Sequence, residues 1–113
     1  GRASDMYISG GSNVYPREVE EVILQHPAIA EVAVVGVADR QWGEVGYAAA
    51  VPRGTAPEEA ALLGWLAERV ARYKLPKRVV FWEALPRSGY GKVTKALVRE
   101  EMAARGVLPP EGA

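Results

Sequence analysis

The sequence predicts a small two-layer α+β domain, in which helices pack on a three-stranded sheet and a β-hairpin precedes them at the N-terminus. Three observations give this prediction. The chain has 113 residues, which suits a single domain. Hydrophobic residues make up 49% of it and charged residues 25%, as in an ordinary globular protein. Short β-branched runs alternate with segments of helical periodicity, which is typical of strands and helices that pack in layers.

The N-terminal part is predicted to hold a hairpin followed by a helix. An apolar run at residues 6–8 leads into Ser9-Gly10-Gly11-Ser12, which indicates a strand or hairpin arm that ends in a flexible glycine pair. Pro16 opens a helical pattern, because proline fits the first turn of a helix. Pro27 ends it, since the residue before a proline avoids helical geometry. The acidic residues of this helix are interpreted as a solvated face: Glu18, Glu20 and Glu21.

Three strands are predicted at residues 29–37, 45–51 and 78–82. The first is β-branched and apolar throughout, which indicates a strand buried on both faces. Of the two remaining helices, one is predicted to start at the capping box formed by Thr55 and Glu58. The other covers about residues 94–105 and ends at Gly106 as its C-terminal cap. The tail, residues 107–113, is expected to be flexible.

Composition excludes several classes of function. Fourteen basic and fourteen acidic residues cancel, which argues against nucleic-acid binding by broad phosphate neutralisation and against a polybasic membrane anchor. The chain has no cysteine and one histidine, so disulfide scaffolds, thiol catalysis and histidine-clustered metal sites are excluded. No apolar run approaches the ~20 residues of a membrane span, and no signal peptide opens the chain. We therefore expect a cytoplasmic protein with no bound metal and no nucleic-acid partner.

The loop at residues 86–93 is the most informative segment. Its glycines let the backbone approach a ligand closely, and Lys92 follows Gly91 directly. A lysine is a cation at neutral pH, and it suits a carboxylate, a phosphate or charge that develops on phosphorus. The spacing is not that of a Walker loop. The residues alone favour a solvated surface lysine.

Two other features are also ambiguous when taken alone. The pair Gly10-Gly11 is by default a turn, although paired glycines can also line a passage for a slender chain. Trp42 and the segment 73–77 place aromatic rings beside lysines, which suits stacking on a nucleobase with a lysine on a phosphate. Core packing of the tryptophan and a helix-terminal role for Lys74 are the alternatives.

Taken together and in order, these features closely resemble the C-terminal domain of AMP-forming acyl-CoA synthetases, in the adenylate-forming superfamily. The resemblance covers about residues 1–105. It is carried by the stretch from Gly1 to Glu20, then by His26-Pro27-Ala28-Ile29, Val34-Val35-Gly36-Val37, Trp42-Gly43-Glu44, Tyr73-Lys74-Leu75-Pro76-Lys77 and Leu85-Pro86-Arg87…Gly91-Lys92-Val93.

The resemblance implies a mobile lid over a large N-terminal domain that binds ATP and a carboxylic acid. In one pose the lid helps to form an acyl-adenylate, and in the other it helps CoA to form a thioester. ATP and CoA would be substrates, Mg²⁺ would accompany ATP, and the partner would be the enzyme's own N-terminal domain. The chain is expected to be the lid alone, without a bound cofactor and inactive by itself.

The resemblance also implies roles for particular residues. Lys92 matches the adenylation lysine, Arg2 a nucleotide contact, and Ser4 the hinge at residues 2–5, where Asp or Lys is more usual. The residues that match the CoA side are Gly10 and Gly11 of the tunnel loop, with Trp42, Tyr73, Lys74 and Lys77 at the CoA nucleotide. Ile8 replaces a lysine that luciferases keep, which disfavours a luciferase-like oxidation.

Two alternatives from other classes remain open. One is the lid of an adenylation domain that passes an acyl or aminoacyl group to a carrier protein, although its usual hairpin differs from Ser9-Gly10-Gly11-Ser12. The other is an α+β binding module without a catalytic role. The acid that is activated cannot be derived from this sequence, because the resemblance places its pocket in the N-terminal domain.

Overall fold

The structure, a computed structural model, describes residues 5–109. Arg2, Ser4 and the tail residues 110–113, on which predictions were made, lie outside these described residues. The elements are strands β1 (Tyr7–Ser9), β2 (Ser12–Val14), β3 (Ile29–Asp39), β4 (Gly43–Pro52) and β5 (Arg78–Phe81), helices α1 (Pro16–Ile23), α2 (Glu59–Ala67) and α3 (Lys95–Ala104), and a short 3-10 helix (Arg72–Lys74).

Strand β4 is the centre of a five-stranded mixed sheet. It pairs with β3 in antiparallel orientation along its whole length. Its other side pairs with the hairpin through Ser9 opposite Gly43, and with β5 in parallel orientation. The predicted α+β class and the three predicted strands are confirmed. The predicted hairpin forms as well, but it extends the sheet to five strands rather than preceding a three-stranded one.

The helices cover both faces of the sheet, so the predicted two-layer arrangement is wrong in its number of layers. Helices α1 and α2 pack on one face, against Val34 and Ala48 among others. Helix α3 packs on the other face, against Val35 and Ala49. Side chains alternate between the faces of a strand, and both faces of β3 and β4 are apolar. One layer of helices would therefore have left the second face in water.

The start of α2 differs from the predicted capping box. The helix begins at Glu59, and neither Thr55 nor Glu58 caps it through a side chain. A cap at Thr55 would make Ala56 the first helical residue, and that position precedes Pro57, where helical geometry is disfavoured. Instead, the Glu59 carboxylate accepts hydrogen bonds from the Val79 N–H and from Arg78 Nε, both at 2.9 Å. Contacts with β5 therefore fix this helix.

The ends of α3 follow the prediction closely. Thr94 Oγ1 caps the helix by accepting from the Leu97 N–H at 3.2 Å. Gly106 has a φ of +70°, the left-handed conformation that ends many helices. The first tail residues, Val107 and Leu108, pack against the core under α3.

The free edge of β3 is covered by charged side chains. The Glu20 carboxylate accepts from the Val34 N–H at 2.8 Å and forms an ion pair with Lys95. Arg99 Nε donates to the Gly36 carbonyl at 3.3 Å. The prediction of a solvated face was wrong for Glu20, whose side chain is only 15% exposed, because this edge strand offers it an unpaired backbone donor.

Tyr7 joins the hairpin to the sheet. Its side chain is buried beside the cross-strand pair Gly36 and Gly46, and a β-carbon on Gly36 would lie only 2.6 Å from Tyr7 Cβ. Burial, together with the nearby charge of Glu44, raises the pKa of the Tyr7 hydroxyl well above its usual value. The glycines thus form the recess in which the hairpin is anchored.

Within residues 5–109, none of the helices combines the length and the apolar character that crossing a bilayer requires.

Candidate functional site

A groove of about 800 Å³ lies where the hairpin turn, the β3–β4 loop and the segment 72–77 meet. Four of the residues predicted from the sequence to meet CoA line it. Its lining comprises Ser9, Gly10, Asp39, Arg40, Gln41, Trp42, Val45, Arg72, Tyr73, Leu75, Pro76 and Lys77.

Ser9 and Gly10 of the glycine turn form one wall of the groove, whereas Gly11 does not line it. Gly10 and Gly11 have φ values of +57° and +85°, the conformation of a tight two-residue hairpin turn that glycine favours. The Gly10 N–H donates to the Trp42 carbonyl at 2.9 Å, and a β-carbon on Gly10 would lie 3.1 Å from the Trp42 ring. A β-carbon on Gly11 would have no neighbour within 4 Å. The turn therefore packs on Trp42 at one glycine and leaves open space at the other.

Asp39 orders the loop that presents Trp42. One of its carboxylate oxygens accepts from the backbone N–H groups of Gln41 at 3.1 Å and Trp42 at 3.0 Å, while the other accepts from Lys77 Nζ at 3.1 Å. The hydrogen bond from Lys77 is the main reason that the pKa of Asp39 lies below its usual value. Lys77 thus joins the β3–β4 loop to the segment 72–77, and Asp39 is a site residue that the sequence analysis did not single out.

The groove offers aromatic surface and positive charge. Trp42 is 51% exposed and Tyr73 is 43% exposed, which is unusual for rings of this size. Three cations, Arg40, Arg72 and Lys77, line the groove against one carboxylate. Exposed rings beside arginines and lysines suit a ligand that has a flat ring and phosphate groups. Arg40 and Arg72 were missed because neither belongs to a motif, although Arg40 lies two residues before Trp42 and Arg72 directly before Tyr73.

Lys74, which the sequence analysis grouped with the CoA side, does not line the groove. It forms an ion pair with Glu18 of α1. The hydrogen bond to Glu18 is the main cause that raises the pKa of Lys74 above its usual value. This lysine therefore ties the segment 72–77 to helix α1.

Lys92 lies on a closed turn in a different part of the domain. The Ser88 N–H donates to the Lys92 carbonyl and the Gly91 N–H to the Ser88 carbonyl, both at 2.8 Å. The Lys92 N–H donates in turn to Ser88 Oγ at 3.3 Å. The Lys92 side chain is exposed, and its ammonium has no ion-pair partner within residues 5–109. The turn thus presents a free cation.

The Lys92 turn and the groove lie at opposite ends of β3. Arg87, which precedes the turn, forms an ion pair with Glu31 near the start of β3 at 2.9 Å. The groove reaches β3 at its last residue, Asp39. Asp39 lies eight residues after Glu31, which corresponds to about 26 Å along a strand. The two surfaces therefore cannot contact one small reacting centre at the same time.

No group of three or more His, Asp or Glu side chains within residues 5–109 is arranged to hold a metal ion. Arg2 and Ser4, the predicted nucleotide contact and hinge, lie outside the described residues.

Comparisons with known proteins place this geometry in context. The family of the AMP-binding enzyme C-terminal domain matches residues 18–92. The indoleacetate–CoA ligase of Aromatoleum aromaticum is 51% identical over 104 residues, which cover 91% of this chain and 20% of that protein. The long-chain-fatty-acid–CoA ligase FadD13 of Mycobacterium tuberculosis is 47% identical over 103 residues, with the same two coverages. A solved Mycobacterium tuberculosis fatty acyl CoA synthetase gives a TM-score of 0.84 at 45% identity, over 96% of this chain and 21% of that one.

The chain spans about a fifth of the length of the curated relatives it matches. Its match to the family model extends over more than half of its own length, and its fold superposes on the corresponding part of a solved relative. The resemblance stated from the sequence is confirmed. The chain belongs to the family of AMP-binding enzyme C-terminal domains, the C-terminal domains of adenylate-forming enzymes.

Proposed function

We propose that this domain is the mobile lid of an acid–CoA ligase, which supplies one surface for adenylation and another for thioester formation. The observation that carries the proposal is the separation of the Lys92 turn from the groove by about the length of β3. A domain that has two functional surfaces at opposite ends must turn in order to use them one after the other.

In the first half-reaction, an oxygen of the carboxylic acid attacks the α-phosphorus of ATP, and pyrophosphate leaves. We assign Lys92 to this step, with its ammonium between the carboxylate and the α-phosphate. A preorganised cation there stabilises the negative charge that builds on the phosphoryl oxygens. The ammonium is exposed and has no ion-pair partner in the described part of the chain, which supports this role, since it can enter a site on the partner domain.

In the second half-reaction, the CoA thiol attacks the acyl carbon of the adenylate, which forms the thioester and releases AMP. We assign the groove to the nucleotide end of CoA, with its adenine on Trp42 or Tyr73 and its phosphates near Arg40, Arg72 and Lys77. The open side of Gly11 leaves room for the pantetheine arm. Lys74 contributes indirectly, since it holds the segment 72–77 to α1.

The other participants follow from the same proposal. The N-terminal domain of the enzyme would be the partner, and it would supply the pockets for ATP and the acid. Arg2 is proposed as a nucleotide contact and Ser4 as the hinge. Mg²⁺ is proposed to accompany ATP in the complete enzyme. A cytoplasmic location is part of this proposal.

The test separates the two half-reactions in the complete enzyme that contains this chain. Lys92→Ala is expected to lower the rate of adenylation by at least ~100-fold, the typical effect of losing one preorganised donor. Exchange of pyrophosphate into ATP measures this rate. Thioester formation from preformed acyl-adenylate and CoA should stay near the wild-type rate. Lys92→Arg should rescue little, since a planar fork does not replace a compact ammonium.

Gly11→Leu is the complementary variant. A side chain at Gly11 would enter the space assigned to pantetheine, and its φ of +85° adds backbone strain. We expect slower thioester formation with adenylation nearly intact. If either variant lowered both half-reactions equally, the assignment of separate surfaces would be wrong.

A further inference from the structure

We propose that Arg87 is a positioning residue for Lys92, because it ties the turn that carries Lys92 to strand β3. The inference rests on the adenylation role proposed above for Lys92. It assigns Arg87 no contact with a substrate; Arg87 acts through the backbone beside the lysine.

The guanidinium of Arg87 bridges two groups. Its Nη1 donates to the carbonyl of Gly91, the residue directly before Lys92, at 3.2 Å. Its Nη2 donates to Glu31 Oε2 at 2.9 Å. Glu31 lies on β3 and pairs with Val51 of β4, directly after a register shift between Ile29 and Glu31. One planar fork therefore links the backbone next to Lys92 to the start of β3, where its regular pairing with β4 begins.

The other flank of Lys92 is held independently. Lys95, at the start of α3, forms an ion pair with Glu20, whose carboxylate also accepts from the Val34 N–H. Helix α3 is further held by the buried packing of its own apolar side. The flank before Lys92 has no helix of its own, so it depends on Arg87 and on the Ser88 turn for its position.

The same contacts predict that Arg87 matters more for rate than for stability. The side chains of Arg87 and Glu31 are 47% and 41% exposed, and exposed ion pairs add little to folding stability. A small displacement of a catalytic group, in contrast, costs rate steeply. Lysine cannot replace Arg87 fully, because a single ammonium does not have the fixed fork that reaches both acceptors.

The experiment uses the complete enzyme that contains this chain, with the variants Arg87→Ala, Arg87→Lys and Arg87→Ala/Glu31→Ala. For Arg87→Ala we expect the adenylation kcat to fall about 10-fold, within the ~100-fold range that a misplaced group can cost. KM for ATP, Tm and thioester formation from preformed acyl-adenylate should hardly change. Arg87→Lys should lie between this variant and the wild type, and the double variant should be no slower than Arg87→Ala alone.

Arg17→Ala is the matched control, since Arg17 also forms an exposed ion pair, with Glu21 at 3.2 Å, but does not contact the Lys92 turn. It should leave both half-reactions unchanged. The inference is overturned if Arg87→Ala keeps full adenylation, or if it lowers Tm and both half-reactions together. Lys92→Ala, assayed alongside, separates the two proposals: its failure to slow adenylation would overturn the proposed function itself.

Discussion

Gly36 has no side chain because the fold places Tyr7 in the space that a side chain would need. Tyr7 occupies the space that a β-carbon would take, at 2.6 Å from Tyr7 Cβ, and that part of the tyrosine cannot move without moving the hairpin. Gly36→Ala should therefore destabilise the fold by about 1–3 kcal/mol, as overpacking of a core does. Urea unfolding of the domain measures this.

Gly64→Ala is the control for that prediction. Gly64 lies in the exposed part of α2, and an added β-carbon there meets nothing within 4 Å. Alanine favours a helix over glycine by up to about 1 kcal/mol, so this variant should be slightly more stable than the wild type. If Gly36→Ala were equally harmless, Tyr7 would not be anchored as described.

At the scale of elements, Glu59 links α2 to β5. Burial alone would raise the pKa of the Glu59 carboxyl, but the hydrogen bonds from the Val79 N–H and from Arg78 outweigh burial and lower it below its usual value. A carboxyl whose pKa is lower in the folded state stabilises the fold above its unfolded pKa of about 4.3. That contribution is lost as the pH falls through the folded pKa.

We therefore expect Glu59→Gln to be less stable than the wild type at neutral pH. The difference in the free energy of unfolding should shrink as the pH is lowered from about 6 to about 3, because the wild-type carboxyl then becomes protonated. Urea unfolding at a series of pH values checks this. Glu58→Gln, one residue earlier and without a capping bond, should lose less stability at neutral pH. If the difference in the free energy of unfolding between wild type and Glu59→Gln stayed constant with pH, the Glu59 carboxyl would not have a lowered pKa in the folded state.

The elements could be predicted well from the sequence where the signals are local. The turn at Gly10-Gly11, the proline that starts α1 and the glycine cap of α3 at Gly106 each depend on a few neighbouring residues. The misassigned residues have long-range partners instead. Glu20 bonds to Val34 of β3, and Glu59 sets the start of α2 through β5. No sequence pattern within α1 or α2 predicts either contact.

The residues of the candidate site also differ in how far the sequence could predict them. Gly10, Trp42, Tyr73 and Lys77 could be selected because each belongs to a short motif, and the structure brings them to one groove. Asp39, Arg40 and Arg72 also line that groove although no motif includes them, while Lys74 belongs to a motif and yet pairs with Glu18. A motif indicates which residues to examine, but only packing decides which of them share a surface.

At the scale of the whole molecule, the proposed binding of CoA in the groove can be tested at Arg72. If Arg72 contacts a phosphate at the nucleotide end of CoA, Arg72→Ala should raise KM for CoA about 10-fold, since a charge-assisted hydrogen bond contributes roughly 1.5–3 kcal/mol. Adenylation should be unaffected. With pantetheine, which lacks the nucleotide, kcat/KM should be the same for variant and wild type.

Arg53→Ala provides the comparison, because Arg53 is exposed and follows β4 at the end that is remote from the groove. It should leave KM for CoA unchanged. If KM for CoA rose in both arginine variants, surface charge would attract the anion in general. If it rose in neither, the groove would not bind a phosphate of CoA.

The covered edge of β3 has one more consequence, for behaviour in concentrated solution. A long apolar strand with unpaired backbone groups is a template on which another chain can add a strand. Glu20 and Arg99 already occupy the Val34 N–H and the Gly36 carbonyl, and their charges discourage an approaching strand. We expect the double variant Glu20→Ala/Arg99→Ala to aggregate at a lower temperature than the wild type, as measured by light scattering. Glu20→Gln, which keeps a hydrogen-bond acceptor, should aggregate less than the double variant. The two side chains that complete this edge would then also keep the protein from assembling with copies of itself.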